Sequence, residues 1–190
     1  MDYRSQLPRI LNDMGLMGIG VEVGVYEGRF SETLLKLWKG KKLYLIDSWR
    51  YMHGIIDILS NRDNNKCLNA MAQTFMKVYD YGTKACMIRE LSVDASRLFS
   101  DGSLDFCYID ASHDKPNVTM DLEAWYPKVK SGGIVAGHDY VDGMYEWPDG
   151  FVKFEVKTAV DEFFKDKNVK IGFTKEEITE TFISWYTIKP

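Results

Sequence analysis

Two carboxylates and an imidazole directly follow a run of apolar residues near the middle of the chain. The run at 106–109 predicts a buried strand, and Asp110, His113 and Asp114 come immediately after it. Such a cluster could bind a metal and move a proton, or it could simply begin the next helix. His113 is the candidate general base, because an imidazole titrates near neutral pH.

The start of that next helix accounts for part of the cluster. Asp114 with Pro116 two residues later fits a helix N-cap followed by a proline in the first turn. We therefore assign Asp114 to the cap and His113 to catalysis, with a purely structural His113 as the alternative. The chain has three histidines. His138 also falls at a predicted strand end, whereas His53 lies in a polar stretch and is predicted to be a surface residue or part of a substrate loop.

Short apolar runs alternate along the chain with patterns of helical spacing. Strands that are apolar throughout, alternating with helices, indicate a parallel sheet covered on both faces. Two last strands have no helix between them and are predicted to pair antiparallel. The fold class expected is α/β: a doubly wound, mostly parallel, Rossmann-like seven-stranded sheet with an antiparallel C-terminal strand. The predicted strands are 18–25, 43–46, 85–88, 106–109, 134–136, 170–173 and 182–188.

The helical patterns carry apolar stripes that are predicted to pack in the core. The stripes are Phe30, Leu34, Leu37 and Trp38; Leu68, Met71, Phe75 and Tyr79; Val118, Leu122, Trp125 and Tyr126; and Val156, Val160, Phe163 and Phe164.

Length, charge and cysteine use restrict the class of protein. The 190 residues suffice for one domain, and no linker or repeat divides them, so we expect a single domain over 1–190. The net charge of −4 argues against a nucleic-acid surface. Three cysteines without paired spacing fit reduced thiols. With no signal region and no membrane-length apolar stretch, we expect a cytoplasmic protein with no nucleic-acid and no membrane partner. A homo-oligomer is left open.

Ligands in such folds bind beyond the carboxyl ends of the strands. Gly24 and Gly28 follow the first predicted strand and allow a close ligand approach or, alternatively, a plain turn into the helix near Ser31. A dinucleotide fingerprint needs G-x-G-x-x-G, but Tyr26 stands where its second glycine would fall. Glu22 beside the turn suits a ligand with a positive charge rather than a pyrophosphate.

The second predicted strand also ends in an acid. Asp47 lies 23 residues after Gly24, a spacing that suits hydrogen bonds from the two ribose hydroxyls of a nucleoside. An ordinary helix cap is the alternative. Ser48 and Trp49 come next, and Trp49 is expected to pack near the base.

These motifs together resemble class I S-adenosylmethionine-dependent methyltransferases. The segments EVGVYEG at 22–28, IDASHD at 109–114 and SGGIVAGHDY at 131–140, with Asp47, carry the resemblance, which covers roughly 18–189. Within that class the chain is similar to the metal-dependent sugar and macrolide O-methyltransferases of the macrocin O-methyltransferase type. Tyr26 in place of a glycine departs from the wider class, and that subgroup tolerates it.

The resemblance implies S-adenosylmethionine as cofactor and a small-molecule hydroxyl, on a sugar, glycoside or related natural product, as acceptor. By position, Ser92 and Val93 after the third strand are expected near the adenine, while Asp94 could contact it or cap the following helix. The implied cofactor-binding residues are Glu22, Gly24, Val25, Tyr26, Gly28, Ser31, Asp47, Ser48, Trp49, Ser92, Val93 and Asp110.

The resemblance also implies a divalent cation, Mg²⁺ or Mn²⁺, bound by Asp110, His138 and Asp139. Relatives often carry a carboxylate or amide where this chain has His138. An imidazole ligand would favour Mn²⁺, Fe²⁺ or Zn²⁺ over Mg²⁺, unless His138 only lines the pocket. The metal would lower the pKa of the acceptor hydroxyl, and His113 would accept its proton.

Two other functions compete with methyl transfer. A nicotinamide-dependent oxidoreductase is disfavoured by the missing glycine spacing and by Glu22. A non-catalytic nucleoside-binding protein would have no need for the full set of strand-end acids and His113. Residues 50–66 and 141–151 are predicted to be loops at the ligand end, and either could select the acceptor.

Overall fold

The computed structural model describes residues 1–52, 63–147, 150–175 and 182–190. His53 and most of the predicted loop at 50–66 lie outside the described residues. The strands are β1 (Ile19–Val23), β2 (Lys42–Asp47), β3 (Ala85–Arg89), β4 (Leu104–Ile109), β5 (Val129–Gly137), β6 (Asp142–Trp147), β7 (Gly150–Glu155), β8 (Gly172–Phe173) and β9 (Trp185–Ile188). The α-helices are α1 (Leu7–Asp13), α2 (Arg29–Leu37), α3 (Asn64–Val78), α4 (Ser92–Ser96), α5 (Lys115–Trp125) and α6 (Val156–Phe164). Short 3-10 helices cover Arg4–Gln6, Tyr79–Lys84 and Tyr126–Lys128.

Seven strands form one sheet in the order β3-β2-β1-β4-β5-β9-β8. The pairs among β1 to β5 are parallel, and β9 runs antiparallel to both of its neighbours. The predicted fold class is therefore confirmed. The strand order reverses between β1 and β4, so the loops that follow these two strands separate and leave a crevice at their carboxyl ends.

The central strand β4 shows why the sheet needs helices on both faces. Each of its residues is buried. Successive side chains of a strand point to opposite faces. Phe106 and Tyr108 accordingly join the apolar cluster that contains α2, whereas Cys107 and Ile109 join the cluster that contains α5 and α6. One continuous apolar run thus supplies the core of both layers.

The segment 141–151, predicted to be a loop, is mostly a β-hairpin. Strands β6 and β7 pair antiparallel as a separate two-stranded sheet. In β7, Val152 and Phe154 are buried while Phe151 and Lys153 are exposed. This alternation is the strand signal that the loop prediction overlooked.

Helix α3 turns its small side chains inward. Its buried residues are Cys67, Ala70, Thr74 and Val78. The predicted apolar stripe is mostly exposed instead, with Leu68 at 47%, Phe75 at 55% and Tyr79 at 59%. The prediction that this stripe packs in the core is wrong, because small residues let the helix lie closer to its neighbours.

In the described part of the chain, each helix is too short or too polar to cross a membrane.

Candidate functional site

A cavity of about 650 Å³ opens at the carboxyl ends of β1, β2 and β4. This volume is in the range of small-molecule and cofactor sites. Of the twelve predicted cofactor-binding residues, ten line it: Glu22, Gly24, Val25, Tyr26, Asp47, Ser48, Trp49, Ser92, Val93 and Asp110. The candidate base His113 lines it as well. Gly28, Ser31, His138 and Asp139 are not among the described residues that line it.

Gly24 is required by the protein's own backbone. Its φ of +85° favours glycine. A Cβ atom there would overlap the main-chain carbonyl of Asp110. Gly24 is therefore packed closely against the end of β4, and the close approach of a ligand to this glycine stays a prediction. Gly28, with φ of +73°, is the N-cap of α2, and a Cβ atom on it would come within 3.0 Å of Thr74 in α3.

The carboxylate of Asp47 holds the loop between β1 and α2. Its Oδ2 accepts hydrogen bonds from the backbone amides of Val25 (3.0 Å) and Tyr26 (2.8 Å), and its Oδ1 accepts one from Trp49 (2.8 Å). Tyr26 and Trp49 both have positive φ. The Trp49 indole also donates to the Tyr26 carbonyl at 2.8 Å. Burial raises the pKa of Asp47, and these amides oppose the rise. The contact with ribose hydroxyls stays a prediction.

Glu22 is a buried acid at the wall of the cavity. Ser31, which lies behind it in α2, donates a hydrogen bond from Oγ to Glu22 Oε2 at 2.5 Å. Burial raises the pKa of Glu22 to about 8, although the Ser31 bond and the positive charge of Arg4 oppose the rise. A carboxyl group that burial keeps protonated gains most from a cationic ligand, which favours its ionised form.

The raised pKa of Glu22 predicts a stability that falls with pH. The folded protein keeps a proton on Glu22 where the unfolded chain has lost it, so the free energy of unfolding declines as the pH rises from about 4.5 through about 8. We expect Glu22→Gln to make the decline shallower, in melting temperatures of ligand-free protein measured across this range. Parallel profiles for the variant and the wild type would contradict the assignment.

Asp110, His113 and Asp139 come together where β4 and β5 end. Each offers one ligand atom, and these atoms lie within 4.8 Å of one another. His113 Nε2 is 3.0 Å from Asp139 Oδ2, while His138 Nδ1 is 2.6 Å from Asp139 Oδ1. The set differs from the predicted Asp110, His138 and Asp139, because His138 faces the other oxygen of Asp139. A metal bond from His138 stays a prediction.

The two carboxyl groups of this cluster have opposite electrostatic environments. Burial raises the pKa of Asp110, and the negative charge of Asp139 adds to the rise. Burial would also raise the pKa of Asp139, but the hydrogen bonds from His113 and His138 hold it well below its usual range. Asp139 is therefore the more acidic of the two carboxyl groups. Its φ of +52° is a strained value that the turn after β5 imposes.

The β6–β7 hairpin holds His113 in place. The imidazole packs against Phe154 with ring centroids 4.6 Å apart. The backbone amide of Glu155 donates to the His113 carbonyl at 2.8 Å. Asp114 is the N-cap of α5, where it accepts from the Asn117 amide at 3.2 Å, with Pro116 in the first turn. The prediction that Asp114 begins the helix is confirmed.

The predicted adenine contacts follow β3. Ser92 begins α4, and its Oγ accepts a hydrogen bond from the Trp125 indole at 2.9 Å. Asp94 lies inside α4, whose N-cap is Leu91, so the cap suggested for Asp94 is wrong. Its carboxylate pairs with Arg97 at 2.9 Å instead.

Arg4 and Asp121 are two of the charged residues of the cavity wall that escaped the sequence analysis. Arg4 lies over the Phe30 ring, 5.0 Å from its centroid, and its Nη1 is 3.3 Å from Asp110 Oδ2. This contact joins distant parts of the chain, so no local pattern could have revealed it. Asp121 is buried in α5. Its position next to Leu122 and three residues after Val118, on the apolar side of the helix, was a signal that could have found it.

Comparisons with known proteins relate this sequence and this fold to methyltransferases. A family model described as a methyltransferase domain matches residues 21–140. The O-methyltransferase of Bacillus cereus, solved in complex with SAH (S-adenosylhomocysteine), is similar over 97% of this chain and 80% of that chain, with 13% identity and a TM-score of 0.65. An rRNA methylase of Streptococcus thermophilus is similar over 92% and 87%, with 14% identity and a TM-score of 0.60.

A third similar structure is named as an N-methyltransferase. It is the 1,6-didemethyltoxoflavin-N1-methyltransferase of Burkholderia thailandensis with bound 1,6-didemethyltoxoflavin and S-adenosylhomocysteine, similar over 99% of this chain and 79% of that chain, with 11% identity and a TM-score of 0.60. At such identities the likeness shows the fold. No protein of curated function matches the chain.

Proposed function

Because the chain belongs to the methyltransferase-domain family, we propose that it transfers a methyl group from S-adenosylmethionine to a hydroxyl of a small molecule. The observation that carries the proposal is the adjacency of two features. The cavity at the ends of β1 and β2 is continuous with Asp110 and His113, which belong to the acid–imidazole cluster. A cofactor cavity and a group able to deprotonate an acceptor thus share one wall.

The residues of the cavity suit this cofactor. S-adenosylmethionine, when bound, supplies an electrophilic methyl group on a sulfonium. The carboxyl groups of Glu22 and Asp110, beside the Arg4 guanidinium, suit an amino-acid moiety that carries charges of both signs. A pyrophosphate, as in a nicotinamide cofactor, would meet two acids instead, which argues against the oxidoreductase.

His113 is the proposed base for the acceptor hydroxyl. Asp139 lies 3.0 Å from His113 Nε2, which favours the tautomer that donates from Nε2 and leaves Nδ1 as the basic nitrogen. The same carboxylate stabilises the imidazolium once the proton has moved. Packing against Phe154 limits the rotation of the ring, so the imidazole stays oriented toward the cavity wall.

A divalent cation fits the same cluster. Asp110, His113 and Asp139 would hold it, and the mixture of oxygen and nitrogen donors favours Mn²⁺, Fe²⁺ or Zn²⁺ over Mg²⁺. When bound there, the metal would acidify the acceptor hydroxyl. Metal binding through His113 and proton transfer by His113 compete for one imidazole, so the two roles need separate tests.

The acceptor class rests on charge and on the site. A net charge of −4 supports a small acceptor over RNA, whose phosphates a binding protein neutralises with basic side chains. The macrocin type of O-methyltransferase, acting on a sugar or glycoside, stays our finer hypothesis.

The exposed stripe of α3 supports a homo-oligomer, since apolar patches of this kind often form interfaces.

Calorimetry on the purified protein tests the cofactor assignment. We expect S-adenosylmethionine and S-adenosylhomocysteine to bind and NADH not to bind. Binding of NADH alone would favour the oxidoreductase. Binding of the adenosyl compounds without methyl transfer to any alcohol in a wide panel would favour a nucleoside-binding protein.

Asp47→Ala is expected to weaken S-adenosylhomocysteine binding by about 1.5–3 kcal/mol. The variant loses the acceptor for the Val25 and Tyr26 amides, and with it the shape of the cofactor loop. Asp63→Ala is the matched control, because Asp63 also accepts two backbone amides, at the start of α3, and does not line the cavity. Equal affinities of Asp47→Ala and the wild type would remove Asp47 from the cofactor site.

A further inference from the structure

Helix α5 contributes a buried acid to the cavity wall. Asp121 is 5% exposed and lines the cavity together with Asn117, one turn earlier, and Met120. The side-chain amide of Asn117 donates from Nδ2 to Asp114 Oδ2 at 2.7 Å at the start of the helix. Asp121 is therefore the charged group that α5 presents to a ligand.

Two neighbours fix the orientation of the Asp121 carboxyl group. The Trp125 indole donates to Ser92 Oγ at 2.9 Å, and the Ser92 hydroxyl in turn donates to Asp121. A hydroxyl has one hydrogen, so accepting from Trp125 leaves Ser92 free to donate toward the acid. The chain Trp125–Ser92–Asp121 therefore holds the carboxyl group as a hydrogen-bond acceptor at the cavity.

A carboxyl group in this position is costly without a ligand. Burial raises the pKa of Asp121 to about 7, and the Ser92 bond offsets only part of the rise. Asparagine or an apolar residue would avoid the cost of desolvating a carboxylate. A hydrogen-bond donor on the ligand would offset this desolvation cost, because a hydrogen bond to a charged acceptor is stronger than one to a neutral acceptor.

We propose that Asp121 recognises the exocyclic amino group of the cofactor's adenine and so selects adenosyl over 6-oxopurine compounds. The inference rests on the proposed function and on the expectation from the sequence that the adenine lies next to Ser92 and Val93. Ser92 is directly bonded to Asp121, so the acid lies beside that position. The amino group of adenine donates hydrogen bonds, whereas the 6-oxo group of hypoxanthine only accepts them. A donor group favours the ionised form of Asp121, and in that form the carboxylate attracts the amino group and repels the 6-oxo group.

Calorimetry with S-adenosylhomocysteine and S-inosylhomocysteine tests the inference, because the two compounds differ at the purine 6 position. The wild type is expected to bind the adenosyl compound at least about 10-fold more tightly, since a site built for a donor rejects an analogue that lacks it. In Asp121→Asn the side-chain amide can donate to the 6-oxo group. We expect its preference to fall by about 10-fold or more. Glu123→Gln, on the exposed side of the same helix, should keep the wild-type preference.

The outcomes separate this inference from the proposed function. Equal binding of both compounds by the wild type overturns the role of Asp121 without any variant, so a misfolded variant does not block the test. An unchanged preference in folded Asp121→Asn overturns it as well. Binding of neither compound by the wild type removes the proposed function together with the inference.

Discussion

Replacing His113 by alanine is expected to slow methyl transfer by about 10²–10⁴, the usual contribution of general acid–base catalysis. Binding of S-adenosylhomocysteine should persist, because Asp47 and the loop after β1 are untouched. The measurement is single-turnover methyl transfer on an acceptor found by screening sugars, glycosides and catechol-like alcohols with the wild type. Thermal melting of the same preparation reports whether the fold survives.

Two comparisons make the His113 result specific. His138→Ala removes the imidazole on the other oxygen of Asp139, so its rate should fall less than that of His113→Ala. Metal content, measured by elemental analysis, separates the two roles of His113. A slow variant that keeps its metal supports the base, and a slow variant that loses its metal supports the ligand. Near wild-type turnover in folded His113→Ala would end both roles.

Chelation is expected to lower the rate by about 10²-fold or more, because a metal on the acceptor oxygen contributes several kcal/mol to the transition state. Treatment with EDTA should remove activity and Mn²⁺ should restore it. Asp110→Asn and Asp139→Asn should each reduce the metal bound per chain. Asp101→Asn is the control, since Asp101 is an exposed acid paired with Lys128.

The same assay decides the position of His138. His138 contacts the other oxygen of Asp139 and is not one of the three proposed ligands, so we expect His138→Asp to leave the metal preference unchanged. A shift toward Mg²⁺ in that variant would place His138 among the ligands. Full activity of a chelated, metal-free wild type would remove the metal from the mechanism.

The fold was predictable because its central strands are apolar at nearly every position. The runs at 43–46 and 106–109 lie inside β2 and β4, and Asp114 caps α5 as its position suggested. The β6–β7 hairpin was missed because Gly143 and Gly150 interrupt its sequence in the way typical of a loop. In α3 the large apolar residues led to a wrong prediction of the buried face, since the helix packs through Ala70 and Thr74.

The candidate site was predictable only in its outline. Acids at strand ends identified Asp47 and Asp110, but not that Asp47 would bind the amides of Val25 and Tyr26. These hydrogen bonds accompany a positive φ at Tyr26, a backbone conformation that a tyrosine in the sequence does not predict. The placement of Arg4 against Asp110 likewise depends on how the N-terminal turn packs on the finished sheet.

The main-chain contact between Gly24 and Asp110 has a bearing on how such a protein can change over generations. Asp110 also donates its backbone amide to the Val23 carbonyl at 2.7 Å, and Gly24 donates to the Ile46 carbonyl at 2.9 Å. Backbone atoms thus set the spacing between the loop after β1 and the loop after β4. Side chains of the cavity wall, such as Met120 in α5, can be replaced without disturbing that spacing. A lineage built on this scaffold can therefore reshape its cavity while the relative position of these two loops is inherited.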